Sequence, residues 1–301
     1  MFNRTALTGR LVNSLLKKEF EVFLTRGCFD IAAKRENLLL IKSLINIDGF
    51  NSQQARSLRT VSYFLAACPF VVSMRNNRGS LADGMIYSRF DVPVVTPRLF
   101  ENILEEDAYN TKSAKGRHTA EVDTDALRSK RYELKFTLEE LADIIGISKK
   151  ALYEIENKRT SPTERTAKKL ERILKIKLCS IYKPQPAEPT YAKPANKLQK
   201  IVSTELSRIG MKNSPVQHAP FEIIGKEKFS VITGLSANTK KIRREASAVK
   251  KLSSIFSSSA FFVAKRSEEK SVSGVPVLLE QELPEIESVK ELKKLIKESS
   301  D

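Results

Sequence analysis

Between Thr137 and Glu156 the sequence leaves room for little but two short helices joined by a tight turn. Thr137-Leu138-Glu139-Glu140 fits a capping box, in which the Thr hydroxyl and a Glu carboxylate each satisfy an orphan amide at a helix start. Leu138, Leu141, Ala142 and Ile145 then recur at helical spacing. Gly146 follows, where a turn between helices needs a residue that tolerates positive φ. Ser148 is placed to cap a second helix, Lys149 to Glu156, with Ala151, Leu152 and Ile155 on its apolar face. Ser161-Pro162-Thr163-Glu164 opens a further helix bearing Ala167, Leu170, Ile173 and Leu174, and Leu127 to Leu134 makes an earlier one.

Two stretches without hydrophobic periodicity divide the chain. Asp107 to Asp123 is polar, and Lys183 to Lys197 carries Pro184, Pro186, Pro189 and Pro194, which favour an extended, fairly stiff spacer. The expected organisation is a unit at 1–107, a linker at 108–123, a helical domain at 124–182, a Pro-rich linker at 183–197 and a last unit at 198–301.

The chain has 301 residues and a net charge of +16. The central domain alone holds 14 Lys and Arg against 9 Asp and Glu. Such a balance favours a phosphate-bearing partner through counterion release, with a solvated basic surface as the bland alternative. The longest apolar run, Tyr63 to Val72, falls far short of the roughly 20 residues of a membrane-spanning helix, and the N-terminus lacks a signal-peptide core. Cys28, Cys68 and Cys179 are isolated, which points to a reducing cytoplasm and away from structural zinc. His118 and His218 are far apart in sequence, and no P-loop, GxGxxG, nucleophile elbow or zinc spacing occurs, so neither cofactor nor metal is expected.

The run from Leu127 to Leu174 resembles the five-helix DNA-binding domain of the phage repressor and Cro-like family. The likeness rests on Leu141-Ala142 with Ile145-Gly146, on Ser148 at the turn, on Ile155-Glu156-Asn157, and on Arg131 in the first helix. It implies an ion pair between Arg131 and Glu156, with Gly146 and Ser148 as architecture. A recognition helix enters the major groove with its N-terminal residues nearest the base edges. Lys149, Lys150 and Glu154 match the base-reading positions; Lys can donate to guanine and Glu can accept from cytosine. Tyr153 either packs sideways or reaches DNA. Thr137, at a helix N-terminus, is a phosphate candidate, as are Lys158 and Arg159. Relatives often carry Gln just after the Thr137 position, and Leu138 here weakens one expected backbone contact.

The flanks repeat one another. Phe29-Asp30-Ile31 stands opposite Phe221-Glu222-Ile223 at a separation of 192. At a separation of 191, Leu38 to Lys42 meets Phe229 to Thr233, and Phe70 to Arg75 meets Phe261 to Arg266. Each copy reads as helix, three strands, helix, two strands, helix. The Asp30 and Lys42 pattern resembles the restriction-endonuclease-like fold of Holliday-junction-resolving and repair nucleases, whose motif is an Asp, then an acidic residue, a spacer and a Lys. The chemistry needs two carboxylates on a divalent cation. Leu40 occupies the acidic place, and in the second copy Glu222, Val231 and Thr233 are aligned with Asp30, Leu40 and Lys42. Both copies are therefore read as catalytically silent scaffolds with no catalytic residue, Asp30 and Lys42 forming a structural ion pair or, as the alternative, contacting the DNA backbone.

The expected fold is α+β and multidomain: a central all-α five-helix repressor-like domain between two duplicated α/β pseudo-nuclease units. Over its full length the chain resembles an archaeal family of HTH-type transcriptional regulators. That resemblance implies a sequence-specific binder of double-stranded DNA that regulates transcription. The isolated cysteines add a cytoplasmic, nucleoid-associated location and the missing second carboxylate a non-enzymatic role, while the short central domain and the usual pairing of half-sites predict a homodimer held by its flanks. The alternatives are a structure-selective, metal-dependent nuclease and a non-enzymatic protein adaptor. The sequence names no effector, operator or target gene.

Overall fold

The computed structural model describes residues 3–106, 108–109, 111–114, 117–188, 190–237 and 239–298. Asp107, Asn110, Lys115, Gly116 and Pro189, all within the expected spacer segments, lie outside the described residues. The chain forms two compact units. One comprises residues 1–78, 88–94 and 184–301, and the other residues 79–87 and 95–183.

The first unit opens with α1 (Arg4–Lys17), which Asn3 caps and which buries Leu7, Leu11 and Leu15 along one face. Strands β1 (Glu21–Leu24), β2 (Ile31–Lys34) and β3 (Leu38–Asn46) follow. Helix α2 (Ser52–Leu65) begins in an Asn51/Gln54 capping box and leads into β4 (Cys68–Asn76). In chain order β5 (Gly79–Ser80), which falls in the second unit, is followed by β6 (Tyr87–Arg89) and β7 (Val92–Val95). The sheet order is β1-β2-β3-β4-β7-β6. β3 and β4 pair in parallel, and both are buried over their first six residues. This explains their continuous apolar runs.

The second unit contains α3 (Pro97–Leu104), a hairpin of β8 (Thr111–Ala114) and β9 (Arg117–Ala120), and then α4 (Thr124–Glu133), α5 (Leu138–Ile145), α6 (Lys149–Glu156) and α7 (Glu164–Leu174). The segment read as a linker thus contains a β-hairpin. The segment packs against the helical part from both sides of the hairpin, since Tyr109 before it and Ala120 at its end cluster with Ala167 and Cys179. Residues 124–182 hold four helices rather than the five expected. After α7 the chain turns at Lys175, in the left-handed region, and runs extended, with Cys179 bridged to Val122 and Ile181 to Tyr109. The alternation of Ile176 and Leu178 suits an edge segment and not a helix. The buried Glu171 carboxylate holds this segment by accepting from the N–H groups of Leu178 (2.7 Å) and Cys179 (3.0 Å) and from the Tyr109 hydroxyl.

Burial alone would raise the Glu171 pKa. The Tyr109 hydroxyl and the two amides outweigh it, so the carboxyl titrates below its ordinary value. Its stabilising effect is therefore present above the unfolded pKa and lost as pH falls through the depressed folded value. Glu171→Ala should cost about 1–3 kcal/mol at neutral pH, and the difference from wild type should shrink in acid. Thermal melts at pH 7 and pH 3 check this; an equal deficit at both would contradict it.

The chain then returns to the first unit. Among the described residues no regular element spans the Pro-rich segment, but it is anchored where the Ala192 N–H donates to Ser214 (3.1 Å) and Tyr191 stacks edge-on against Phe64. Helix α8 (Lys197–Arg208) precedes β10 (Lys212–Pro215), β11 (Ile223–Lys226) and β12 (Ser230–Ser236). Helix α9 (Thr239–Phe256) is followed by β13 (Ser259–Ala264), β14 (Ser271–Val272), β15 (Val275–Leu279) and α10 (Val289–Glu298). The order β10-β11-β12-β13-β15-β14 is that of the first sheet, element for element. Leu198, Val202, Leu206, Phe261, Leu292 and Ile296 belong to its core.

The register corrects the sequence alignment. Asp30 N–H donates to the Ile41 carbonyl, and Glu222 N–H donates to that of Thr233. The Asp30 carboxylate accepts from Ser43 N–H (2.9 Å), and that of Glu222 accepts from Leu235 N–H (2.7 Å). These pairs keep the separation of 192 through β12, so the change to 191 falls between β12 and β13. Lys42 and Leu40 therefore correspond to Gly234 and Ile232, not to Thr233 and Val231. Phe262 is the cross-strand partner of Gly234, and a Cβ there would run into its ring. Gly234→Ala should destabilise the unit by about 1–3 kcal/mol through overpacking, and adding Phe262→Leu should recover part of the loss. Chemical denaturation of the single and double variants reads this directly.

The two sheets meet inside this unit. α2 packs on β11, while α9 packs on β2 and β1. Phe256 sits edge-on to both Phe29 and Phe221. The Cys28 N–H donates to the His218 carbonyl, and a Cβ on Gly27 would strike that same carbonyl and approach Ala219. Gly27 and Ala219 are themselves 192 apart. The three cysteine thiols are buried and unpaired. Burial raises their pKa values, to about 12 for Cys28 and Cys179 and about 11 for Cys68. No helix among the described residues is long and apolar enough to cross a membrane.

Candidate nucleic-acid interface

The helical core of the second unit gathers Leu127, Leu141, Ala142, Ile145, Leu152, Ile155, Leu170 and Leu174. α5 starts in the reciprocal Thr137/Glu140 capping box and stops at Gly146, which adopts the left-handed conformation (φ 76°). Two residues later the Ser148 side chain accepts from the Ala151 N–H (3.1 Å) and starts α6.

An ion pair at the heart of the core fixes the end of α6. Arg131 and Glu156 are each 4 % exposed. The Arg131 guanidinium makes a two-pronged bond to the Glu156 carboxylate (2.7 and 2.9 Å) and donates to the Phe136 carbonyl (3.0 Å). The hydrogen bond that Arg131 donates to Glu156 pushes the Arg131 pKa up. Arg128, which sequence reasoning missed, donates to the Glu156 carbonyl (3.0 Å) and the Asn157 side chain (3.1 Å). It thereby places a cation at the C-terminus of α6, where the helix dipole favours one. Its three-residue spacing from Arg131 was the available signal.

The first turn of α6 is exposed at Lys149 and Lys150. Lys149 reaches Glu139 (3.1 Å), while Lys150 makes no ion pair among the described residues. Glu154 lies one turn beyond Lys150 and pairs with Arg159 (3.3 Å), whose guanidinium also sits 5.6 Å from the Tyr153 ring centre. Lys158 pairs with Asp125 (3.0 Å). Exposed pairs of this kind contribute about 0–1 kcal/mol and exchange readily for a phosphate. At Thr137 the hydroxyl and N–H both donate to the Glu140 carboxylate (2.8 Å each). Hydrogen bonds from the Thr137 backbone and then its hydroxyl hold the Glu140 carboxyl below its ordinary pKa. A carboxylate therefore already occupies the place expected for a phosphate.

In the first unit, Asp30 is buried. One of its oxygens accepts from Arg4 (2.6 Å) and Lys42 (3.1 Å), and the other from the Ser43 N–H and hydroxyl (2.9 and 3.1 Å). Lys42 also donates to the Gly27 carbonyl. Leu40 is fully buried. The equivalent Glu222 takes its cation from a different element: Lys241 on α9 donates to it, in place of the strand position held by Gly234. Burial is the largest influence on Glu222 and raises its pKa despite this partner. Among the described residues no three His, Cys, Asp or Glu side chains converge as a metal site.

Residues 4–109 match the PD-(D/E)XK superfamily domain, and residues 127–181 match a helix-turn-helix. A protein of Methanothermobacter thermautotrophicus named "Putative HTH-type transcriptional regulatory protein" is 32% identical over 91% of this chain and 89% of its own length. Proteins with the same family designation from Pyrococcus horikoshii and Pyrococcus furiosus are 31% and 30% identical. They cover 90% and 98% of this chain, and 90% and 96% of their own lengths. The chain belongs to this archaeal family of HTH-type transcriptional regulatory proteins. No solved structure is a significant match.

As an HTH-type transcriptional regulatory protein, the chain carries its DNA-binding domain as an insertion, since residues on both sides of it build the first unit. Lys149, Lys150 and Glu154 share one short helix, and Lys158 and Arg159 sit in the turn that follows it. Thr137 belongs to the start of the preceding helix.

Proposed function

We propose that this protein binds double-stranded DNA sequence-specifically and regulates transcription. In this reading Lys149, Lys150 and Glu154 read bases, Lys158 and Arg159 hold phosphates, and Thr137 does so only if Glu140 yields its place. The observation that carries it is the lysine-bearing first turn of α6. It is exposed to solvent while the far end of the same helix is locked by Arg131 and Glu156. A short helix that is rigid at one end and cationic at the other suits insertion into a major groove. Selection of bound duplexes from a random pool tests this: a consensus should emerge, and recovery of unrelated sequences with equal affinity would refute it.

The flanking halves are a degenerate duplication of the endonuclease-like fold, serving as scaffold in a nucleoid-associated cytoplasmic protein. Their reciprocal packing and the hydrogen bonds at constant separation support this. A homodimer places two helix-turn-helix units on two half-sites, as is usual for such proteins. The faces of α2 and α9 are covered within one chain, so a second copy would use other surfaces. Sedimentation with and without operator DNA decides the stoichiometry.

The match to the PD-(D/E)XK superfamily, with Asp30 and Lys42 in place, favours a second reading as a metal-dependent nuclease. Against it, Leu40 supplies no oxygen, and Asp30 already accepts four hydrogen bonds. A hard divalent cation takes about six oxygen ligands. Incubation of duplex, branched and nicked DNA with Mg²⁺ or Mn²⁺ distinguishes the readings. Cleavage abolished by Asp30→Asn would establish the nuclease.

A further inference from the structure

Within the second unit, α3, the loop at Asp83 and Gly84, and α7 line an open cavity of about 530 Å³. Arg98 comes from α3, while Arg165, Lys168, Lys169 and Arg172 form one stripe along α7. That stripe has the spacing of a single helix face. Two carboxylates line the same cavity. Asp83 accepts from the Thr96 hydroxyl (2.6 Å), and Glu164 pairs with Lys168 (3.2 Å). Arg98, Arg165 and Arg172 are exposed and make no ion pair among the described residues. Five cations against two carboxylates leave a surplus of positive charge at one site, and a bound polyanion offsets the repulsion among them. Guanidinium groups moreover match phosphate oxygens two at a time.

Lys169 connects this cavity to the DNA-binding element. Its ammonium donates to the Ile145 carbonyl (2.7 Å) at the C-terminus of α5 and lies 3.5 Å from where a Cβ of Gly146 would be. It thus lines the cavity and also caps the helix that ends at the turn before α6.

We propose that this cavity binds a small molecule bearing a polyphosphate chain, and that Lys169 communicates its occupancy to the helix-turn-helix. The cavity falls within the roughly 300–1,000 Å³ typical of small-ligand sites. It also takes cations from two separate elements around one concavity, whereas duplex DNA presents its charges along a convex, extended rail. Asn102 and Leu99 on α3 add one amide and one apolar contact for the part of the ligand beyond the phosphates.

The test is calorimetric titration of the full-length protein, without DNA, with sodium tripolyphosphate, ATP and adenosine at fixed ionic strength. Tripolyphosphate and ATP should bind with micromolar dissociation constants and adenosine should not. ATP binding tighter than tripolyphosphate identifies a nucleotide ligand; equal binding identifies the phosphate chain alone. Arg98→Gln combined with Arg172→Gln should weaken both at least about tenfold while leaving the melting temperature unchanged. Absence of tripolyphosphate and ATP binding overturns the site, as does adenosine binding as well as ATP. A tenfold loss of duplex affinity in the Arg variants without any anion binding reassigns the cavity to the DNA backbone and also overturns it. For the coupling, saturating ligand should change duplex affinity at least threefold in wild type and not in Lys169→Met; equal affinities with and without ligand overturn that part. Because the titration contains no DNA, it stands or falls independently of sequence-specific recognition by α6.

Discussion

Replacing Arg131 with Met should unfold the helix-turn-helix or leave it marginal, with a loss of about 3–5 kcal/mol, because Glu156 would keep its charge in the core with no partner. The two residues exchange two hydrogen bonds, and both are almost wholly shielded from water. Charge-assisted and bidentate, this pair belongs to the strong class of hydrogen bonds. Glu156→Leu alone should be similarly harmful, since it strands the guanidinium. The double change Arg131→Met with Glu156→Leu should recover much of the loss, because a buried pair can often be exchanged for apolar groups at little net cost. Thermal unfolding followed by circular dichroism reads the series. A single variant within 1 kcal/mol of wild type would show that the pair does not hold α6.

Removing Lys149 and Lys150 together should have the largest effect on DNA binding. Each base contact of this kind is worth about 1–3 kcal/mol of discrimination, so the double Ala variant should lose affinity for its selected site by one to four orders of magnitude. It should retain non-specific binding and should also lose preference between sites. Lys158→Ala is the contrasting case. A phosphate contact weakens all sequences alike and lowers the slope of log affinity against log salt by about 0.9. Titrations of specific and scrambled duplexes at several salt concentrations separate the two classes. An unchanged specificity ratio in the Lys149/Lys150 variant would sink the base-reading assignment.

The helix-turn-helix was legible because each of its boundaries is written in local chemistry. The capping box at Thr137, the left-handed glycine at 146 and the Ser148 cap act within a few residues, and each appears in the structure where the sequence put it. The segment after Lys175 was not legible in the same way. Its extended course depends on Tyr109 and Val122, partners distant in sequence, and on the carboxylate of Glu171 one element back, and only the alternation of Ile176 and Leu178 hinted at it. The paired order of helices and strands in the flanks could be read from apolar runs. The register could not, because a slip of one residue between apolar strands costs nothing in pattern; it took the hydrogen bonds of Asp30 and Glu222 to fix it. Lys241 was hidden for a related reason: the cation beside Glu222 had moved to another element, so no motif spacing could announce it.

The reciprocal seating of α2 on β11 and α9 on β2 has a consequence for biosynthesis. As the polypeptide leaves the ribosome, the amino-terminal sheet is complete long before the residues beyond 198 that cover its helix. Until then the phenylalanine-lined surface around Phe29 and Phe64 faces solvent, while the intervening recognition domain can close on its own short-range contacts. Maturation should thereby divide into an early step for the helix-turn-helix and a late step in which the carboxyl-terminal half clasps its earlier counterpart.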